Sequence, residues 1–150
     1  MAQYKRQMDK AFAGLKATAA FDHVESGFAA SEDIPFGYGL KVNSSNPETQ
    51  CDLIDTAGDV FHGISLHEHK VGGTYYEKDP VNILRRGKAW VEISATVTAG
   101  ARAYVDTTNA KFTAVVGTNI DTGGYFRNAI TYSGGADRNI AILEINLPNL

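Results

Sequence analysis

The second half of the chain alternates apolar and polar residues at period two. Over residues 88–98 the odd positions Ala89, Val91, Ile93, Ala95 and Val97 are apolar, while Lys88, Trp90, Glu92, Ser94, Thr96 and Thr98 occupy the even ones. Successive side chains of a strand point to opposite faces, so the pattern predicts a strand with one dry face and one turned to water or a partner. The alternation returns at 101–105, 111–116 and 125–132, with breaks at Gly100, at Asn109, over 117–124 and at Gly134-Gly135. Further strands are predicted at 40–42, 51–54, 60–66, 81–84 and 139–147, and the Asn, Ser and Pro residues of 43–50 suit a loop. Short strands cut by turn residues every ~8 to 12 positions predict an all-β fold, a compact β-barrel or β-sandwich.

The first residues follow another rule. Tyr4, Met8, Ala11, Phe12 and Leu15 fall on one stripe of a short amphipathic helix, which Gly14 weakens. A helix of that length is marginal alone and needs a surface to dock on. Residues 17–34 are rich in Ala, Ser and acids without a sustained period, which predicts an extended arm. The expected organisation is therefore an N-terminal arm with a short helix over 1–33 and an all-β domain over 34–150. The string Ile34-Pro35-Phe36-Gly37-Tyr38-Gly39 opens that domain, with Pro35 fixing φ and the glycines allowing a tight bend.

A chain of 150 residues with 43% hydrophobic content can bury a core of its own. The formal charge of -3 is unevenly spread: residues 31–80 hold three basic and nine acidic side chains, against four and three in 1–30 and seven and five in 81–150. That distribution lacks the clustered Lys and Arg that displace counterions from phosphates, so nucleic acid is not an expected partner, whereas a protein with a basic patch is. The one cysteine, Cys51, cannot form an intrachain disulfide and reads as a small buried hydrophobe beside Leu53 and Ile54. Lys5, Arg6, Asp9, Lys10 and Lys16 interrupt the N-terminal apolar run, so neither a signal peptide nor a membrane span is expected, and the expected site of synthesis and assembly is the cytosol.

The candidate chemistry is thin. His67 and His69 share one face of a strand and, with His62, are the obvious metal candidates, but further ligands are not identifiable and a solvated strand face accounts for them more simply. Asp121-Thr122-Gly123 matches the tripeptide of aspartic proteases, and Asp55-Thr56-Ala57 is a weaker echo; a turn rich in Asp and Gly is the simpler reading. The longer string Asn119-Ile120-Asp121-Thr122-Gly123-Gly124-Tyr125 resembles one motif of trimeric dUTP pyrophosphatases, whose other motifs are missing. Gly37-Tyr38-Gly39 lacks the third glycine and following helix of a nucleotide loop. No catalytic, cofactor-binding or metal-ligating residue is expected, and the protein is not expected to be an enzyme.

One resemblance spans most of the chain. Ile34-Pro35-Phe36-Gly37-Tyr38-Gly39, Phe61-His62-Gly63-Ile64-Ser65, Val81-Asn82-Ile83-Leu84 and Gly87-Lys88-Ala89-Trp90-Val91 are followed by Ala99-Gly100-Ala101-Arg102-Ala103-Tyr104-Val105-Asp106, then Phe112, Gly117 and Ala141-Ile142-Leu143-Glu144-Ile145. In order and spacing this series resembles the structural cement or decoration proteins of tailed-phage capsids. The resemblance implies a virion protein, assembled in the host cytoplasm, that binds the outside of an icosahedral shell and bridges major capsid subunits against internal DNA pressure. It also implies a homo-oligomer, a trimer rather than a dimer, with no cofactor and no membrane or nucleic-acid partner. A small trimeric dUTP pyrophosphatase-like enzyme and a head-completion or tail component are the alternatives. The interface candidates are Tyr4, Met8, Phe12 and Leu15 on the stripe, and Trp90, Tyr104, Tyr125 and Tyr132, whose rings suit either an interface or the barrel core.

Overall fold

The computed structural model describes residues 13–17, 22–30, 33–68, 74–134 and 139–147. Every regular element among them is a strand: β1 (His23–Ala29), β2 (Ile34–Pro35), β3 (Gly39–Val42), β4 (Gln50–Leu53), β5 (Gly63–Ser65), β6 (Thr74–Tyr75), β7 (Pro80–Glu92), β8 (Arg102–Val105), β9 (Phe112–Thr113), β10 (Ile120–Phe126) and β11 (Ile140–Asn146). β2 and β6 form a small two-stranded sheet, and the other nine form one sheet in the order β1-β4-β3-β5-β7-β11-β10-β8-β9. That sheet closes twice. β1 returns to pair with β7, which makes a ring of β1, β4, β3, β5 and β7. A bridge between Ile93, just past β7, and Phe112 of β9 joins the ends of β7, β11, β10, β8 and β9 into a second ring.

The 13-residue β7 belongs to both rings, and its side chains show where one gives way to the other. Val81 and Ile83 point into the smaller core with Ala29, Leu40 and Cys51, while Leu84, Ala89 and Val91 join the larger core with Val105, Phe126 and Leu143. Ile83 and Leu84 are adjacent and so face opposite sides of the strand. Past them the alternation lapses at Arg85 and Arg86, and Gly87 takes a φ of 129° that a side-chain-bearing residue rarely adopts. β7 therefore joins the predicted strand 81–84 to the start of the predicted strand 88–98 around one irregular step. Buried side chains form a core cluster in each ring, as expected for barrels of few strands.

Several expectations change. Tyr4, Met8 and Phe12 lie outside the described residues. The described end of their stripe is not helical: Gly14 N donates to Trp90 O at 2.7 Å, Leu15 O accepts from Trp90 N at 2.8 Å, and Lys16 bridges Ala89, so the backbone lies extended along β7. The expected arm is a strand over His23–Ala29, paired along its length with β7, because those main-chain bonds close the smaller ring even though the side chains do not alternate in burial. The Asp- and Gly-rich string expected as a turn is the strand β10. Four residue steps there, Asp121 to Tyr125, span two on β8, Tyr104 to Arg102. The bulge satisfies its own amides: Gly123 N donates to Asp121 Oδ1 at 2.8 Å, and Gly124 N to Thr122 Oγ1 at 3.0 Å.

Candidate interaction surface

The outward phase of the larger ring assembles one face from β7, β11, β10 and β8. The inward positions are sealed and mostly apolar, among them Ala89 and Val91, Leu143 and Ile145, Phe126, and Ala103 and Val105, with Thr122 of β10 buried as a donor to the Ala103 carbonyl. The positions between them point out by strand geometry. Register then places Lys88 opposite Glu144, Glu144 opposite Tyr125, and Tyr125 opposite Arg102, a row that crosses four strands. In the next row Trp90 stands opposite Ile142, and Tyr104 faces Asp121 further along β8.

Two ion pairs organise this face. Arg102 grips Asp121 with both arms, Nε to Oδ1 at 2.9 Å and Nη2 to Oδ2 at 2.8 Å, and its Nη1 lies 3.3 Å from the Tyr125 hydroxyl. The guanidinium carbon is 5.7 Å from the Tyr125 ring centroid, within cation–π range. The hydrogen-bonded Arg102 holds the Asp121 carboxyl below its ordinary pKa, and Asp121 in turn raises that of Arg102. Arg127 Nη1 contacts Glu144 Oε2 at 3.2 Å. Pairs this exposed contribute little to folding; what they do is fix the orientation of charges and rings that a partner meets.

Four of the eight candidate residues lie on or beside this face. Trp90 and Tyr104 are half-buried and Tyr125 is exposed on it, while Leu15 is held beside Trp90 and lines a shallow open groove of about 590 Å3 with Val24, Leu66 and His67. Tyr132 is exposed but sits elsewhere, past the bridge between Val97 and Ile130, where its N donates to Thr96 Oγ1 at 3.1 Å. Tyr4, Met8 and Phe12 fall outside the described residues. As surface residues Arg102, Asp121, Arg127 and Glu144 were not singled out from the sequence, where Asp121 figured only in the protease-like and turn readings, although Arg102, Asp121 and Glu144 occupy the polar phases of their strands and Arg127 directly follows β10. Only the register across strands brings them together.

The other candidates are structural. Asp121 is committed to Arg102 on an exposed face, and Asp55 lies in the loop past β4, where Lys41 Nζ donates to its Oδ1 at 2.6 Å, so each carboxylate is held by its own cation and the two are not paired as a protease dyad. His62 Nδ1 lies 2.6 Å from Arg85 Nη1, and burial, with the Arg85 charge, lowers its pKa. The His67 ring meets Phe36 edge-on at 4.9 Å, and His69 is outside the described residues. No group of three His, Cys, Asp or Glu placed to hold a metal occurs among the described residues. Cys51 is buried, and desolvation pushes its thiol up to about 12, as a small packed hydrophobe requires. No helix among the described residues is long and apolar enough to cross a membrane.

The model of a phage family described as structural cement protein (E217 gp24/Pam3 gp6) matches residues 1–146. The chain belongs to that family. This structural cement protein is accordingly a component of the virion, and of the all-β barrel or sandwich expected, the barrel is the fold found. Six chains of solved structures match that fold. One, from the capsid of Myoviridae phage XM1, superposes with a TM-score of 0.74 at 17% identity, over 98% of this chain and 99% of that one. No curated protein matches.

Proposed function

We propose that the protein binds the outer surface of an icosahedral phage capsid, bridges neighbouring major capsid subunits and stabilises the shell against internal DNA pressure. The observation that carries this reading is the family match over residues 1–146, and the filled double barrel agrees with it. A cement works by rigid surface rather than by a cleft. Here the inward phase of the large ring is packed, and the outward phase offers Trp90, Tyr104 and Tyr125 among oriented charges. Large amphipathic rings are enriched where protein surfaces meet. The protein acts as a homo-oligomer, a trimer rather than a dimer, since the local threefold positions of such a shell supply matching symmetry. It has no catalytic activity and requires no cofactor.

Mixing the purified protein with mature shells that lack it tests the reading. It should co-sediment at a fixed saturating ratio and raise the temperature at which the shells break. Trp90→Ala with Tyr125→Ala should weaken binding ~10-fold or more, about 1.4 kcal/mol or more, at a temperature where the variant is still folded by its own thermal transition. Shells that neither bind nor gain stability would overturn it, and a monomer both free and on the shell would remove the trimer.

A further inference from the structure

We propose that the open half of β1 is a docking edge at which an extended segment of a neighbouring shell protein adds as a strand; this rests on the capsid-binding reading above. Strand lengths create the edge. β1 has seven residues and is paired with β7 along its length, but the four-residue β4 on its other side meets it only at Phe28 and Ala29. Main-chain directions follow from the bonds at that end. Phe28 N donates to Thr49 O at 2.8 Å and Ala30 N to Cys51 O at 3.0 Å, both toward β4, while Ala29 N donates to Asp79 O at 3.0 Å on the β7 side. Alternation then turns the N–H and C=O of Val24 and Ser26 away from β7, into the space that β4 does not reach. No partner for them lies among the described residues. Among the described residues, whose other long strands are closed into rings, this is an edge left unpaired.

The side chains around the edge select the occupant. Edge strands are usually blunted with Lys or Pro, and His23–Ala29 has neither. Instead Val24 and Phe28 share one face of β1 and are 40% and 48% exposed, a footing for apolar side chains of an added strand. A second copy is a poor fit. Two-fold antiparallel pairing through Val24 and Ser26 centres on Glu25 and sets that carboxylate opposite its own image, and like charges directly opposite are destabilising. Among the described residues Glu25 has a 3.3 Å contact to the His23 ring and a 3.8 Å one to Arg85, both on one oxygen, and its exposed carboxylate remains able to meet a cation. The occupant is therefore a different chain, extended, with a Lys or Arg opposite Glu25 and apolar residues at alternate positions beside Val24 and Phe28.

Hydrogen exchange on the wild-type protein, free and bound to mature shells, reads this edge directly. Within 22–30 the amides of Val24 and Ser26, which point away from β7, should exchange quickly in the free protein and gain ~10-fold or more protection on the shell. A second arm uses Ser26→Pro, which removes one outward N–H and leaves the β7 ladder intact. It should keep the thermal transition of the free protein and lose ~10-fold or more in co-sedimentation. Wild-type binding without protection of 22–30 overturns the inference and leaves the capsid reading standing, whereas shells that bind no protein overturn both. Protection that appears on concentrating the protein without shells assigns the edge to a second copy and also overturns it.

Discussion

Because β7 lines both cores, a cavity cut into the smaller one should unfold the whole chain together. Ile83 is 1% exposed in the smaller core, and Leu84, the next residue, is fully buried in the larger. Ile83→Ala removes three carbons, about 2.4 kcal/mol of transfer free energy at roughly 0.8 per carbon, and the residual cavity raises the cost to about 3 or 4 kcal/mol. For a chain of this size that is a fall of roughly 10 °C in Tm. Two probes separate the rings. Trp90, the single tryptophan, reports on the larger ring by fluorescence, and far-UV circular dichroism reports on all strands. The two transitions should fall together and remain single, with Ile83→Val shifted by about a third as much. If Trp90 kept its wild-type midpoint while circular dichroism developed a separate earlier step, the shared strand would not couple the cores and the reasoning would fail.

Three further outcomes are expected. Burial first, and then the Arg85 charge, hold the His62 pKa below its ordinary 6.5, so the unfolded chain binds a proton that the folded one refuses. Its contribution to stability is complete above about pH 6.5 and is lost as pH falls toward the folded value; urea midpoints should decline across that window in the wild type and less in His62→Gln. Gly124→Ala would drive a Cβ into the Glu144 carbonyl and to 2.8 Å from Ile145 Cγ2, whereas Gly100, with a φ of 85°, has nothing within 4 Å. Calorimetry should therefore show a loss of about 2 kcal/mol or more for the first and about 1 kcal/mol for Gly100→Ala, and equal losses would refute the packing argument. Cys51, with its thiol pushed up to about 12, should resist iodoacetamide in the native protein and react once urea unfolds it; rapid native labelling would place it at the surface.

How far the sequence discloses this fold depends on which strands have one wet face. Residues 88–98 were legible because Ala89, Val91, Ile93 and Val97 are buried in turn while the residues between them are not. β1 was not, because His23 to Ser26 are exposed on both faces and only main-chain pairing makes them a strand. Nor was the full length of β7, whose inward phase switches sides between Ile83 and Leu84 and then breaks at two arginines and a glycine. In β10 the Asp-Thr-Gly-Gly string carries turn chemistry inside a strand, since the bulge needs the same side-chain-to-amide bonds that turns use. Trp90, Tyr104 and Tyr125 were visible as aromatic residues in polar phases, but the charges that surround them became a group only through pairing of strands distant in sequence.

The order in which the strands are made has its own consequence. By the time β7 has been synthesised, every strand of the smaller ring exists, but β11, which lies between β7 and β10, comes only at 140–146. Until then Ala89 and Val91 lack Ala141, Leu143 and Ile145 against them, and a half-made chain presents an apolar stretch of β7 whose ladder toward β11 is open. Such intermediates fold slowly, because their decisive pairings span long stretches of chain, and they aggregate readily. Production in the host should therefore depend on chaperone capacity and on translation speed through the last third of the message more than on the stability of the finished barrel.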